Sequence, residues 1–330
     1  MSVPTSFEIT PFPRELIPQA AALFVENFKK QRKAVPALPD RMEDPNLLAE
    51  MLGKFLTGQP SVAAVMDGEL MGYMGGYRIE RFRGAAWKAA YCPEWGHAAV
   101  EMRKSGLTKS GIYRAMYRAM LAGWAGDGCR ANAISVLAAD TTALQVLFWS
   151  GFGMLVVDAV RPIQPFPAVP PTGLTIRKAL PADAETLAEL EAEHSRHYVA
   201  APVFMVPSEA SDAEEFTEFI RNPKNSAWLA LDGSEPAGYM RFEGSSFGAA
   251  AFVGADTTVA NTGAFVRPAY RGQKVAPTIL SAALQDYASQ GFLRCSVDFE
   301  SINPEAAEFW PKYFEPVTYS LMRVPENLPG

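Results

Sequence analysis

The sequence predicts a mixed α/β protein built from two related domains, and three observations lead there. The first is RPIQPFPAVPPTG, Arg161 to Gly173, whose five prolines stop a helix or a central strand and make a semi-rigid extended linker. The second is that the chain opens alike on each side. FEITPFPRELIPQAAALFVENF from Phe7 and LTIRKALPADAETLAELEAEH from Leu174 each read as a short strand, a proline-bearing turn and a helix with apolar residues three and four apart. The third is register. Gly128 and Gly291 lie 163 residues apart, and the same shift carries Trp124 to Tyr287, Ala125 to Ala288, Asp140 to Asn303 and Ala143 to Ala306. One ungapped offset across helix, turn, strand and helix marks a duplication. Domains are therefore expected at 1–165 and 166–330.

Each copy reads as strand, helical region, two or three strands, helix, strand, helix and terminal strand. In the second copy SAWLALDGSEPAGYMRFE is a hairpin turned at Asp232 and Gly233, residues suited to a tight turn. TGAFVRP is the next strand. PTILSAALQDYASQG is a helix with Pro277 suited to its first position and Gly291 to its end, and Leu280, Leu284 and Tyr287 share one face. LRCSVDFE alternates Leu293, Cys295, Val297 and Phe299 with Arg294, Ser296, Asp298 and Glu300, as a strand with unequal faces should. Asn303 followed by Pro304 is a helix cap and first-turn pair, and Asp140 keeps the cap in the first copy.

Composition narrows the function. The chain has 330 residues and a formal charge of -6, which argues against broad nucleic-acid binding, since that needs a basic surface. Cys92, Cys129 and Cys295 are odd in number and lack ligand spacing, and His97, His194 and His197 complete no metal set with them. No apolar run is long enough for a bilayer and the N-terminus lacks a leader pattern, so a cytoplasmic location without membrane association is expected. Any anionic ligand must find a local positive patch, for which Arg267, Arg271 and Lys274 are the candidates.

FVRPAYRGQKVA, followed by a helix, a strand and NPEAAEFW, resembles the acyl-coenzyme A site of the GCN5-related N-acetyltransferases. The resemblance implies two tandem domains, each a mixed, mostly antiparallel central sheet flanked by helices. It implies an acetyl-CoA-dependent transfer to a primary amine. In that family a loop of pattern Gln/Arg-x-x-Gly-x-Gly/Ala presents main-chain N–H groups and a helix start to the cofactor diphosphate, which is sound anion chemistry. Here Arg271, Gly272, Gln273, Lys274, Val275 and Ala276 occupy the loop, with Lys274 in place of the middle glycine. An ordinary backbone angle at Lys274 would let it donate its N–H with the side chain turned outward. Phe265 and Val266 on the preceding strand and Asn303 complete the expected cofactor-binding set.

The 163-residue shift sets TKSGIY, Thr108 to Tyr113, against that loop. Gly111 keeps the middle glycine, but Thr108 replaces the arginine and Tyr113 the last small residue, so the first domain is expected to be degenerate and without cofactor. The transfer itself needs two oriented substrates, an N–H donor for the developing oxyanion, a route for the amine proton and a donor for the departing thiolate. The family often supplies a tyrosine seven residues after the asparagine. This chain has Trp310 there and Leu147 in the first copy. Tyr313 is the substitute donor, and Glu300 and Asp256 are candidate bases. His194 and His197 follow the first helix of the second copy, where they read as a surface pair beside an acceptor. A small-molecule amine is the expected partner, and an oligomer is compatible. The competing reading is a non-catalytic acyl-CoA-binding or interaction protein that retains the fold.

Overall fold

Three helix starts in this chain are set by short polar side chains at positions the sequence singles out. Thr108 accepts the Gly111 N–H, Asp140 accepts that of Ala143 and Asn303 that of Ala306, each satisfying a donor that a helix cannot satisfy itself. The computed structural model describes residues 7–101, 107–164, 166, 173–244 and 252–326. In chain order its elements are β1 (Glu8–Pro11), α1 (Ile17–Ala34), α2 (Pro45–Gly58), β2 (Ser61–Met66), β3 (Glu69–Gly75), β4 (Tyr77–Ile79), β5 (Ala89–Cys92), β6 (His97–Ala99), α3 (Lys109–Gly126), β7 (Ala131–Leu137), α4 (Thr141–Trp149) and β8 (Gly153–Pro162). There follow β9 (Thr175–Lys178), α5 (Ala184–Val199), α6 (Ala213–Arg221), β10 (Asn225–Asp232), β11 (Glu235–Gly244), β12 (Thr258–Val266), α7 (Val275–Ser289), β13 (Arg294–Glu300), α8 (Pro304–Phe309) and β14 (Glu315–Arg323). Mixed, mostly antiparallel sheets flanked by helices result, as the sequence predicts. Most of the expected linker, residues 165 and 167–172, lies outside the described residues.

The chain divides into two compact units, Met1–Val157 with Pro316–Gly330, and Asp158–Glu315. The terminal strand, expected to close the second copy, belongs to the first unit. There β14 runs antiparallel to β7, with Thr318 opposite Leu137 and Ser320 opposite Ser135. A strand partner chosen across so many residues leaves no mark in local sequence pattern. β8 likewise runs to Pro162, so the chain stays extended two residues into the proline-rich segment.

In the first unit β1, β2, β3 and β6 form one antiparallel ladder, while β5 pairs parallel with β7. Its core gathers Ile112, Tyr113, Met116 and Trp124 of α3 against Ile134 and Val136 of β7. In the second unit β9, β10, β11, β12 and β13 lie in reverse order, with the Asp158–Pro162 part of β8 beside β13. Leu187 and Leu190 of α5 pack with Leu229, Tyr239 and Phe265, while the Tyr287 ring of α7 lies 5.8 Å from that of Phe242. Helices thus cover both faces of the sheet. That explains a departure from expectation in β13: Ser296 and Glu300 are buried along with Cys295, Val297 and Phe299.

The β10–β11 turn falls on Gly233 and Ser234, one residue later than expected, with Asp232 paired to Glu235. Gly238 on β11 lies so close to β12 that an added Cβ would meet the Phe265 carbonyl oxygen at 2.6 Å and the Val266 Cα at 3.0 Å. Both are backbone atoms and cannot rotate aside. Gly238→Ala is expected to cost about 1–3 kcal/mol in urea unfolding, by prising β12 from β11.

Candidate functional site

β12 and β13 begin side by side and then part. Their parallel pairing runs from Thr258 opposite Arg294 to Asn261 opposite Val297 and ends there. At the same point β12 carries a bulge on its other edge, where Arg241 pairs with Gly263 but Phe242 with Asn261, leaving Thr262 without an opposite number. A bulge bends the strand that carries it. Beyond it β12 keeps to β11 and β13 does not follow. The Arg267 N–H donates to the Ala237 oxygen on β11, so by the alternation of a strand the N–H groups of Ala264 and Val266 turn away from β11 toward the opening.

The opening forms a cleft of about 650 Å³. One lip is the end of β12 and the loop into α7; the other is Asn303 and α8. The α5 helix and the segment after it form a third wall, through His194, Tyr198 and Met205. At the floor, where the strands part, Asn261 is buried and its Nδ2 has no hydrogen-bond partner among the described residues. A buried unpaired amide is costly in a folded protein, and this one belongs to a residue that lines the cleft.

The loop that opens α7 takes a conformation the sequence does not disclose. Gly272 has φ 77°, and Lys274, expected to have ordinary angles, has φ 64° and ψ 15°. That left-handed geometry suits glycine and strains a lysine by about 1–2 kcal/mol. Lys274 is the residue preceding α7, which starts at Val275, so Pro277 is its third residue and not its first. No side chain among the described residues caps this helix. The N–H groups of Lys274, Val275 and Ala276 therefore have no intrahelical acceptor, and they stand at the positive end of the helix dipole. Lys274→Gly is expected to raise stability by about 0.5–1 kcal/mol while keeping these donors. A fall in the urea midpoint would contradict the left-handed assignment.

The expected positive patch is largely neutralised. Arg267 meets Glu193 at 2.8 Å and Glu235 at 2.5 Å, and does not line the cleft. Arg271 donates through Nε to the Val266 oxygen at 3.1 Å and pairs through Nη1 with Glu305 of α8. Lys274 has no ion pair among the described residues. An anion here would be held by main-chain donors and by whatever charge Arg271 can divert from Glu305.

Phe265, Val266, Arg271, Gly272, Lys274, Val275, Ala276, Asn303 and Tyr313 all line the cleft. Gln273 does not; its Nε2 donates to the Ala269 oxygen at 2.8 Å. Of the two candidate bases, Glu300 is buried off the cleft wall. Asp256 precedes the first residue of β12, at the end opposite the opening. Tyr313 follows the short helical turn Trp310–Lys312, and its ring packs on Phe166 and Phe309 at 4.7 and 5.1 Å. Tyr198 is a cleft residue that sequence reasoning missed. Its hydroxyl bonds to the Asn303 side chain, and burial, with the charges of Glu300 and Asp298, pushes it up to about 12.

The histidine pair also departs from expectation. His194 is buried at 9% exposure and stacks on the Phe265 ring at 5.6 Å, while His197 faces Glu305 at 3.8 Å. Both line the cleft. Apolar residues three and four apart around His194 could have signalled a buried helix face.

In the first unit the corresponding features are filled. The α3 helix starts at Lys109, so Gly111 lies inside it and not in a loop, and Tyr113 is buried in the core. The helix gained a turn at its start, because Thr108 caps it. The Lys109 ammonium is buried and meets Asp140 and Glu101 at 2.9 Å each. β5 and β6 go to different partners, and His97 spans the gap: Nε2 donates to the Ser135 oxygen at 2.9 Å and Nδ1 accepts from the Tyr113 hydroxyl at 2.8 Å. Burial holds the His97 imidazole below its usual value.

Among the described residues no helix is long and apolar enough to cross a membrane, and no cluster of three or more His, Cys, Asp or Glu suits a metal. No curated protein matches the sequence. A solved GCN5-related N-acetyltransferase from Sphaerobacter thermophilus is similar at 15% identity, over 98% of this chain and 96% of that one, with a TM-score of 0.56. The GCN5-related glucosamine N-acetyltransferase region of a fungal multi-domain GH3 β-N-acetylglucosaminidase is similar at 12% identity and TM-score 0.53, over 97% of this chain and 38% of that one. Residues 188–314 match the acetyltransferase (GNAT) family model, which supports an N-acetyltransferase. The chain has the GCN5-related N-acetyltransferase fold, and its segment 188–314, which holds the cleft, is similar in sequence to that family.

Proposed function

We propose that the cleft of the Asp158–Glu315 unit binds acetyl-CoA and transfers its acetyl group to a primary amine. The observation that carries this reading is an opening between two parallel strands that ends on an uncapped helix start. Phosphate groups suit the N–H groups of Lys274, Val275 and Ala276 and the Arg271 guanidinium. A pantetheine arm, with amides of its own, suits the unpaired edge of β12 and the orphan Nδ2 of Asn261. Once bound, the thioester supplies an activated acyl carbon.

The chain's own groups supply the rest. The N–H groups of Ala264 and Val266 are fixed donors for an oxygen that gains charge, and fixed donors of this kind contribute about 100- to 1000-fold in rate. Tyr313, which lines the cleft, would return a proton to the thiolate. The first unit is read as not binding the cofactor, because His97 and Lys109 fill the equivalent places.

The test is a thermal-shift series with acetyl-CoA, followed by thiol release in the presence of glucosamine, spermidine and phenethylamine. A midpoint that rises with ligand concentration and thiol release that depends on amine are expected. A rise with no release from any amine would favour a binding protein without turnover. No rise at saturating acetyl-CoA would remove the proposal.

A further inference from the structure

We infer that His194 is the general base of the cleft, held in the required tautomer by Tyr239 and Glu191. This rests on the acyl-transfer reading above and adds the group that makes the amine reactive. The Tyr239 hydroxyl has one proton and gives it to Glu191 Oε2. Its oxygen can then only accept from His194 Nδ1, 3.1 Å away. Nδ1 therefore carries the imidazole proton and Nε2 carries the lone pair. Nε2 has no hydrogen-bond partner among the described residues, and His194 lines the cleft. A ring that is buried, oriented at one nitrogen and open at the other is placed to take a proton from a ligand.

The surroundings suit a transient positive charge. Glu191 Oε2 lies 3.9 Å from Nδ1. Burial pushes the Glu191 carboxyl up, but its contacts with His194 and Tyr239 and the Arg241 charge outweigh it and hold it below the usual range. It is thus ionised at neutral pH. The titratable groups about the ring are Glu191, His197 and Tyr198 on its own helix and Tyr239 with Arg241 on β11. β12 contributes only the Phe265 face. His197 is drawn to Glu305, which leaves His194 as the imidazole free to act.

An alkylammonium has a pKa of roughly 10, so an amine enters the cleft protonated. Its first proton passes to His194 Nε2. The freed nitrogen lone pair forms the C–N bond to the acyl carbon as the C–S bond breaks. Tyr313 gives its hydroxyl proton to the thiolate and takes the nitrogen's second proton in its place, and the imidazolium returns the first to water. Amine cation and thioester thus become amide, thiol and one proton.

The test uses the full chain. With the amine that best supports thiol release, the wild-type kcat/KM is expected to fall at low pH along a limb set by protonation of the base. His194→Gln is expected to lower kcat/KM about 100-fold or more and to abolish that limb, while acetyl-CoA still raises the thermal midpoint. Tyr239→Phe and Glu191→Gln act on positioning residues. Glu191→Gln should move the limb to lower pH, since the imidazolium loses its nearby carboxylate. A retained limb, or a His194→Gln rate within about threefold of wild type, would overturn the inference and leave acyl transfer standing. Loss of acetyl-CoA binding by the wild type, or no release from any amine, would remove both. Should His194→Gln fail to fold, nitrogen-15 NMR of wild-type histidines decides: a proton on Nδ1 is expected, and a proton on Nε2 would refute it.

Discussion

Arg271→Glu is expected to abolish the rise in thermal midpoint that acetyl-CoA produces in the wild type. Arg271 stands at the loop before α7, bonded to the Val266 oxygen and paired with Glu305. Reversal sets two carboxylates side by side where a diphosphate must approach. At a few ångströms and a surface-like dielectric each charge contact is worth up to about 4 kcal/mol before salt screening. A loss of about 100-fold or more in affinity is a modest claim on that scale. The converse variant makes the test specific. Glu305→Gln removes the carboxylate that competes with phosphate for Arg271, and affinity is expected to rise about three- to tenfold. It also removes an acid from the first turn of α8, so the ligand-free protein should lose about 0.3–1 kcal/mol. Weaker binding in both variants would mean that the pair acts only as a structural clasp.

The second large effect is expected at Asn261, with opposite signs for stability and binding. Its Nδ2 is buried without a hydrogen-bond partner among the described residues, on a residue that lines the cleft. Asn261→Leu keeps the approximate shape and removes an unsatisfied donor whose burial costs about 1–3 kcal/mol. The ligand-free protein should therefore gain stability, seen as a higher urea midpoint. Acetyl-CoA affinity should fall about tenfold or more, because an acceptor oxygen loses its donor. If stability and affinity both drop, Asn261 is bonded within the protein and the floor of the cleft has been misread.

The parts legible in sequence are those set by local rules. Gly128 and Gly291 both have positive φ after a helix, and in both units the next residue's N–H reaches back to a buried aromatic, Trp124 or Tyr287. Asp140 and Asn303 both cap helices, and β7 and β13 begin 163 residues apart as the repeat requires. Helix caps, terminal glycines and strand alternation need only a few neighbouring residues. The register slips where a helix start can move. Thr108 starts α3 a turn early relative to α7, and Gly111 is absorbed inside at a cost of about 1 kcal/mol.

What escaped the sequence depends on partners far along the chain. Arg267 and Arg271 read as an anion patch because Glu193 and Glu305 lie 74 and 34 residues away in sequence. His194 read as a surface residue because its burial is made by Tyr239 and Phe265, on two strands that α5 packs against. The pairing of β14 with β7 is longer in range still. Lys274 is a third kind of case. Its left-handed backbone is imposed by the turn from Gly272 into α7, against the residue's own preference.

The most direct test of the whole reading is a crystal structure of the protein with acetyl-CoA. The diphosphate should lie on the main-chain N–H groups of Lys274, Val275 and Ala276, with the acyl arm entering between β12 and β13. A ligand bound elsewhere, or a cleft that stays empty at saturation, would contradict it.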